Sequence, residues 1–228
     1  RSEEKEVRMS CNRTTATVAL LWAANAAVVG GGMKGDAVEG EGLVGSCAAC
    51  HGADGNSLAP TFPKLAGLGE RYLLKQMKDI RDGRRPVALM AGQVDNMTDR
   101  QLADIAAFYD AKSRTSGTTD PELVTMGRSI YLAGIADRKV AACSGCHSPS
   151  GHGNGPGGFP ALAGQHSDYI TQQLEMFRLG YEDDSGRTNG GDSRIMRTIA
   201  LNWISFRCHE HYFVNFYYCN YWNLLCKI

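Results

Sequence analysis

The sequence predicts an all-α protein built from two tandem lobes, and three observations lead to this prediction. A set of residues in the first half of the chain recurs in the second half, shifted by 97 positions along most of its length. Residues 69–82 carry apolar side chains at the i, i+4, i+8 spacing of one helix face. No segment alternates between apolar and polar residues as a half-buried strand would. With 228 residues, the chain has room for two small domains.

The composition narrows the class of protein. Lys and Arg together number 24, as do Asp and Glu, so the formal net charge is zero. This balance excludes a generally basic nucleic-acid binder and a protein with a polyanionic tail. Charged residues make up 21% and hydrophobic residues 43%, which is the composition of a globular protein.

The first element is a targeting segment at residues 1–26. Residues 1–8 are polar and precede Met9, which we interpret as the natural start. Arg13 then supplies a positive region, an apolar stretch begins at Ala16, and residues 24–26 read Ala-Asn-Ala, the form of a cleavage site. The apolar stretch is shorter than the ~20 residues that a membrane-spanning helix needs. We therefore expect a secretory signal peptide, with an uncleaved anchor or a buried helix as the alternative.

The repeat defines the two lobes. The segment Cys47–His51 recurs as Cys143–His147, and Phe-Pro-x-Leu-Ala-Gly begins at Phe62 and again at Phe159. The 97-residue shift also relates Tyr72, Gln76, Arg81 and Gly83 to Tyr169, Gln173, Arg178 and Gly180. Residues 113–121, rich in Ser, Thr and Gly, form the predicted junction. The predicted lobes are residues 27–115 and 116–200.

Two helices of the first lobe are predicted from local patterns. Residues 69–82 form one apolar face, as described above. Thr98-Asp99 is a helix N-cap signal that opens a second helix over Arg100–Lys112, with Leu102 and Tyr109 on its apolar face.

Each lobe carries the motif Cys-x-x-Cys-His, the attachment signature of c-type haem. The thiols add across the two vinyl groups of the porphyrin, and the i, i+3 spacing places both sulfurs on one side of a helical turn. The histidine that follows is then directed at the iron as its proximal ligand. The predicted attachment residues are Cys47, Cys50, Cys143 and Cys146, and the predicted proximal ligands are His51 and His147.

Other readings of the motif explain less of it. A zinc ribbon would place its two cysteine pairs ~15–20 residues apart, far closer than in this chain. A thioredoxin-type dithiol needs a βαβ context, which this sequence lacks. A disulfide between i and i+3 leaves the histidine unexplained.

A methionine in each lobe is the candidate for the sixth position of the iron. Met90 lies 39 residues after His51, and Met196 lies 49 residues after His147. Met97 is the alternative to Met90, but its place at the start of the next helix favours packing. The backbone carbonyls of Pro63 and Pro160 are candidates to accept a hydrogen bond from the second ring nitrogen of each proximal histidine.

Over residues 35–200 the sequence resembles the cytochrome c4 family, periplasmic carriers with two class I cytochrome c lobes. The resemblance rests on both haem motifs, both Phe-Pro-x-Leu segments, Met97-Thr98-Asp99, and the segment Arg194–Ala200. It implies two covalent haem c groups, ligated by His51 with Met90 and by His147 with Met196. It also implies a pseudo-twofold arrangement in which the haems face each other across the lobe interface.

The function predicted from these features is one-electron transfer in a periplasmic respiratory chain, without enzymatic activity. The resemblance implies a donor of the quinol–cytochrome c reductase type and an acceptor of the terminal oxidase type, and it is compatible with peripheral membrane association. An alternative is the dihaem subunit of a flavocytochrome sulfide dehydrogenase, with the flavin on a separate subunit. A dihaem peroxidase is a weaker alternative, because matched methionine candidates in both lobes leave neither iron open. A metal-binding or structural module is a third class.

The C-terminal segment 201–228 departs from the family. It contains nine of the 19 aromatic residues of the chain and three of its eight cysteines. The family closes each lobe with a helix that has a cap like Thr98-Asp99, whereas this segment begins Leu201-Asn202-Trp203. We expect the segment to be spurious or replacement sequence and the second lobe to be the less stable half.

Overall fold

A computed structural model of the chain describes residues 32–117 and 121–204. Within these ranges every regular element is helical, and the extended pairings are two isolated bridges, Ile135 with Val140 and Asn154 with Phe159. The all-α prediction is therefore confirmed. The helices are α1 (Ala37–Glu41), α2 (Gly45–His51), α3 (Glu70–Arg81), α4 (Asp99–Asp110), α5 (Pro121–Ala133), α6 (Ser144–His147), α7 (Ser167–Glu182) and α8 (Ile195–Ile204), with 3-10 turns at Ala88–Met90 and Ala136–Arg138.

Both helices predicted for the first lobe are present. Helix α3 lies within the predicted range 69–82, and α4 begins at Asp99 directly after its Thr98 cap. The Thr98 hydroxyl accepts a hydrogen bond from the Gln101 backbone N–H, and the Gln101 side chain accepts one from the Thr98 N–H. This reciprocal capping box satisfies two backbone donors that a helix start otherwise leaves free.

The core of the first lobe is built where α1 and α3 pack against α4. At Gly40 the two backbones come so close that an added Cβ would lie 2.1 Å from the carbonyl oxygen of Asp104. The buried cluster then extends from α4 to the haem-motif helix and the loop before α3. Its buried members are Val44, Leu68, Leu73, Ile105, Ala106, Phe108 and Tyr109.

The second lobe is held mainly by α7 packed against α8. Its buried apolar residues form two smaller clusters, one of Leu174, Phe177 and Ala200 and one of Val140 and Trp203. Helix α8 continues across position 200, the predicted end of the lobe, as far as Ile204. The predicted signal peptide and residues 205–228 lie outside the described residues, so these boundaries stay predictions.

Residues of both lobes belong to one compact unit that begins at Met33. Across the described part of the chain, no helix combines the length and the apolar character needed to cross a bilayer.

Candidate haem sites

Each haem motif lies on a short helix that ends at its histidine. Helix α2 carries Cys47, Cys50 and His51, and α6 carries Cys146 and His147 directly after Cys143. One helical turn therefore separates the two thiols of each pair, as the spacing predicted. None of these four sulfurs is in a disulfide, so all four are available for thioether bonds. Burial raises the pKa of the Cys47 and Cys143 thiols.

The two proximal histidines have matching surroundings. The Nδ1 atom of His51 lies 2.8 Å from the carbonyl oxygen of Pro63, and Nδ1 of His147 lies 2.8 Å from that of Pro160. A carbonyl can only accept, so Nδ1 carries the hydrogen in both rings. Phe62 and Phe159, each directly before the proline, stand edge-on to the two imidazole rings at a centroid distance of 6.2 Å. The predicted bonds to the two proline carbonyls are confirmed.

This arrangement leaves each imidazole neutral, with a free lone pair on Nε2. Burial lowers the pKa of His51 and of His147, while the bond to the proline carbonyl acts in the opposite direction. The side that faces the carbonyl donates, so the other nitrogen is available to a metal.

The methionines predicted as sixth ligands lie in different local structures. Met90 ends the 3-10 turn Ala88–Met90 and is half-buried, whereas Met196 is the second residue of α8. Met97 packs against the core cluster of the first lobe, as its position predicted. Met196 is half-buried and packs against the cluster that contains Leu174.

The residues present fit haem c in each lobe. Covalent haem requires two thiols one turn apart, which would form the thioether bonds, and a neutral, oriented imidazole, which would ligate the iron. In the first lobe the hydroxyl of Tyr109 is also buried and has no hydrogen-bond partner among the described residues. Within residues 32–117 and 121–204, no group of three or more His, Cys, Asp or Glu side chains could hold a metal ion.

Comparisons with known proteins identify the family. The Cytochrome c family model matches twice, at residues 37–110 and 127–204. Cytochrome c4 of Azotobacter vinelandii is 50% identical over 175 residues, which cover 73% of this chain and 81% of that protein. The chain belongs to the cytochrome c4 family. The crystal structure of reduced recombinant cytochrome c4 from Pseudomonas stutzeri matches with a TM-score of 0.69 and 47% identity, covering 73% of this chain and 90% of that one.

Membership of the cytochrome c4 family gives the cofactor and the general activity. The chain carries two covalently bound haem c groups, one in each cytochrome c domain, and it is a c-type cytochrome that transfers electrons between redox partners. A further relative at 35% identity over 161 residues is a thiosulfate dehydrogenase electron acceptor from Thiomonas intermedia (strain K12), with 68% of this chain and 70% of that protein covered.

A polar network between the lobes was not predicted. Its centre is two buried arginines, Arg85 of the first lobe and Arg187 of the second. Each donates to the glutamine of its own lobe and to the tyrosine and glutamine of the other. Arg85 donates to Gln76, Tyr169 and Gln173, and Arg187 donates to Gln173, Tyr72 and Gln76.

The repeat relates the tyrosines and glutamines of this network to each other, but it does not relate the two arginines. Tyr72 with Tyr169 and Gln76 with Gln173 are pairs in the repeat, and all four residues accept hydrogen bonds from the two arginines. Arg187 is not a repeat partner of Arg85, because the loop after α7 is longer than its counterpart. That loop lies directly on α7: an added Cβ at Gly186 would lie 1.9 Å from the backbone nitrogen of Gly180. This close approach places Arg187 at the contact between the two lobes.

Proposed function

We propose that the protein carries single electrons in a periplasmic respiratory chain, with both haems held by a histidine and a methionine. The observation that carries the proposal is the pair of matched histidines, each with Nδ1 2.8 Å from a proline carbonyl. Two sites built alike are expected of a carrier that passes electrons between equivalent centres. An enzyme needs one iron with an open position.

The proposed ligand sets follow the family residue by residue. Cys47 and Cys50 bind the haem of the first lobe, where His51 and Met90 ligate the iron. The packing of Met97 in the core supports Met90, because it accounts for the rival methionine. Cys143 and Cys146 bind the second haem, where His147 and Met196 ligate the iron. This second set rests on the resemblance and on the matching histidine geometry.

The haem iron, when bound, supplies the one-electron change between Fe(II) and Fe(III). The protein residues keep the ligands in place: the proline carbonyls hold the imidazole rings, and the buried clusters exclude water. A thioether ligand raises the reduction potential relative to a second imidazole. In the described residues neither Arg85 nor Arg187 bonds a carboxylate, so these buried cations would suit the anionic propionates of bound haem.

The proposed donor is of the quinol–cytochrome c reductase type and the proposed acceptor of the terminal oxidase type. Periplasmic location is proposed for two reasons. Residues 1–26 are a predicted signal peptide, and covalent haem is attached to cysteines outside the cytoplasm. Peripheral association with the membrane is compatible with such partners.

A second candidate is an electron acceptor for a sulfur-oxidising dehydrogenase. The relative described as a thiosulfate dehydrogenase electron acceptor favours this class of donor. The dihaem subunit of a flavocytochrome sulfide dehydrogenase is a related alternative. Stopped-flow reduction of the oxidised protein by a quinol–cytochrome c reductase and by a thiosulfate dehydrogenase would separate these donors, and the faster of the two identifies the donor class.

The proposed attachment of haem to the two cysteine pairs is tested by counting covalent haems. The unmutated protein should show two c-type haems per chain in a pyridine haemochrome assay, none extractable by acidified acetone. Cys47→Ala and Cys143→Ala should each lose stable attachment of one haem, because each removes one of two thioether bonds. Ser46→Ala, on the same helical turn, should keep both.

The oxidised protein should show the weak optical band of Met–Fe(III) ligation, and the reduced protein should not bind CO. Extractable haem, a single haem, or CO binding by the reduced protein would contradict the proposal.

A further inference from the structure

The loop that carries the Pro63 carbonyl is held from the other lobe. Gln165 lies two residues before α7 in the second lobe, is only 5% exposed, and pairs its side-chain amide with the backbone of Lys64. The Lys64 N–H donates to Gln165 Oε1 at 2.9 Å, and Gln165 Nε2 donates to the Lys64 carbonyl at 2.8 Å. Both hydrogen bonds are buried, and they fix the residue next to Pro63.

The same loop is held on the other side of Pro63. The Ser57 hydroxyl donates to the Phe62 carbonyl at 2.6 Å, and His166 Nε2 lies 3.0 Å from that hydroxyl and 3.0 Å from the Ser57 carbonyl. The carbonyl can only accept, so His166 donates from Nε2. Adjacent residues of the second lobe therefore secure both flanks of the carbonyl that His51 uses.

Among the described residues, the first lobe does not hold the Pro160 loop of the second lobe through an equivalent pair of side-chain hydrogen bonds. The 97-residue shift relates Gln165 to Leu68 and Lys64 to Ala161. Leu68 has no polar side-chain atom, and its contact is a 3.4 Å hydrogen bond from the Ala161 N–H to the Leu68 carbonyl. Arg114 of the junction holds the second loop instead, by donating to the carbonyls of Ala161 and Ala163 at 3.1 and 3.2 Å. Two sites with matching interiors thus have different outer supports.

We propose that Gln165 is a positioning residue for the haem of the first lobe. From the second lobe it holds the Pro63 carbonyl against Nδ1 of His51, and so sets the strength of the proximal hydrogen bond. This inference rests on the proposed role of His51 as an iron ligand. A stronger bond at Nδ1 makes the imidazole a better donor to iron, which favours Fe(III) and lowers the reduction potential.

The test uses the full-length, haem-loaded protein and the variant Gln165→Met. Methionine matches glutamine in length but cannot pair with the Lys64 backbone. In the reduced, diamagnetic protein, NMR should show the Nδ1–H of His51 exchanging with solvent about tenfold faster or more, the factor expected for loss of a buried hydrogen bond. Redox titration should show the potential of the first-lobe haem moving upward while the other stays in place. The Nδ1–H of His147 is the internal reference.

Gln172→Met is the matched control, because Gln172 lies on the exposed face of α7. It should leave both ring protons and both potentials unchanged. Gln165→Glu keeps an acceptor for the Lys64 N–H and loses the donor to its carbonyl, so its exchange rate should lie between those of the control and of Gln165→Met. This variant also serves if Gln165→Met does not fold.

The outcomes separate this inference from the ligand proposal. Exchange and potentials equal to those of the control, or equal changes at both haems, would overturn the role of Gln165 alone. If the unmutated protein shows no haem-shifted ring signal from His51, the ligation by His51 fails and the inference fails with it.

Discussion

At the scale of single residues, burial and one hydrogen bond decide the protonation state of each proximal imidazole. Burial removes the charged form, and the proline carbonyl then selects which nitrogen of the neutral ring carries the hydrogen. The result is a ring that donates on one side and presents a lone pair on the other before any metal is bound. Rigid ligands of this kind reduce the rearrangement that accompanies electron transfer.

The proposed ligand Met90 leads to a residue-scale prediction. Met90→His should keep the first haem six-coordinate and lower its reduction potential, because imidazole favours Fe(III) more than a thioether does. The shift should be on the order of 0.1–0.3 V, a part of the ~0.8 V range that axial ligands span. Redox titration of the haem-loaded protein should show one component moved downward and the other nearly unchanged.

Met97→Leu is the matched control for this substitution. Met97 packs against the core cluster, so a volume-conserving apolar replacement should leave both potentials in place. If Met90→His moves neither component and Met97→Leu moves one, Met97 is the ligand and the assignment of Met90 is wrong.

At the scale of helices, the first lobe depends on the direct contact of α1 with α4. Gly40 is buried at this contact, and an added Cβ would lie 2.1 Å from the Asp104 carbonyl oxygen. We expect Gly40→Ala to lower the free energy of unfolding by about 1–3 kcal/mol, the usual cost of overpacking. Urea denaturation followed by circular dichroism would measure the change.

Gly42 provides the control for that experiment. It ends the same helix with φ −69°, and the nearest atom to an added Cβ, the Glu39 carbonyl oxygen, is 3.6 Å away. Gly42→Ala should therefore leave the stability unchanged or slightly raised. An equal loss in both variants would show that α1 is sensitive to any side chain, and the close contact would not be the cause.

Local sequence patterns predicted the helices that depend on local physics. The cap at Thr98 and the apolar face of α3 each depend on residues that are close together in the sequence, so both could be predicted. The proline carbonyl contacts were predictable because a haem histidine needs a partner for its second nitrogen. Gln165 and Arg187 were missed because each acts on residues more than 100 positions away, where no local pattern exists. The helical setting of Met196 was missed because packing between α7 and α8 determines it.

At the scale of the whole molecule, the lobes are joined by buried polar contacts. The arginine network links α3 and α7, and Gln165 with His166 links the second lobe to the haem loop of the first. Breaking these buried hydrogen bonds costs free energy, so they stabilise the contact between the lobes. One of these contacts is made by a histidine, His166, so it is sensitive to the charge of that ring.

The last prediction concerns the pH dependence of this contact. Burial lowers the pKa of His166, the bond to Ser57 opposes that shift, Lys64 adds to it and Asp168 acts against it. The unfolded chain, with a histidine pKa of about 6.5, therefore binds the proton before the folded one does. The contribution of neutral His166 to stability is complete above that pH and is lost as the pH falls toward the lower, folded-state pKa.

His166→Gln keeps a donor to the Ser57 carbonyl but does not titrate. In urea denaturation at about pH 7.5 and about pH 5.5, this variant should lose less stability on acidification than the unmutated protein, while His152→Gln, at an exposed loop position, should behave like the unmutated protein. An equal loss in His166→Gln and the unmutated protein would show that His166 does not control the contact.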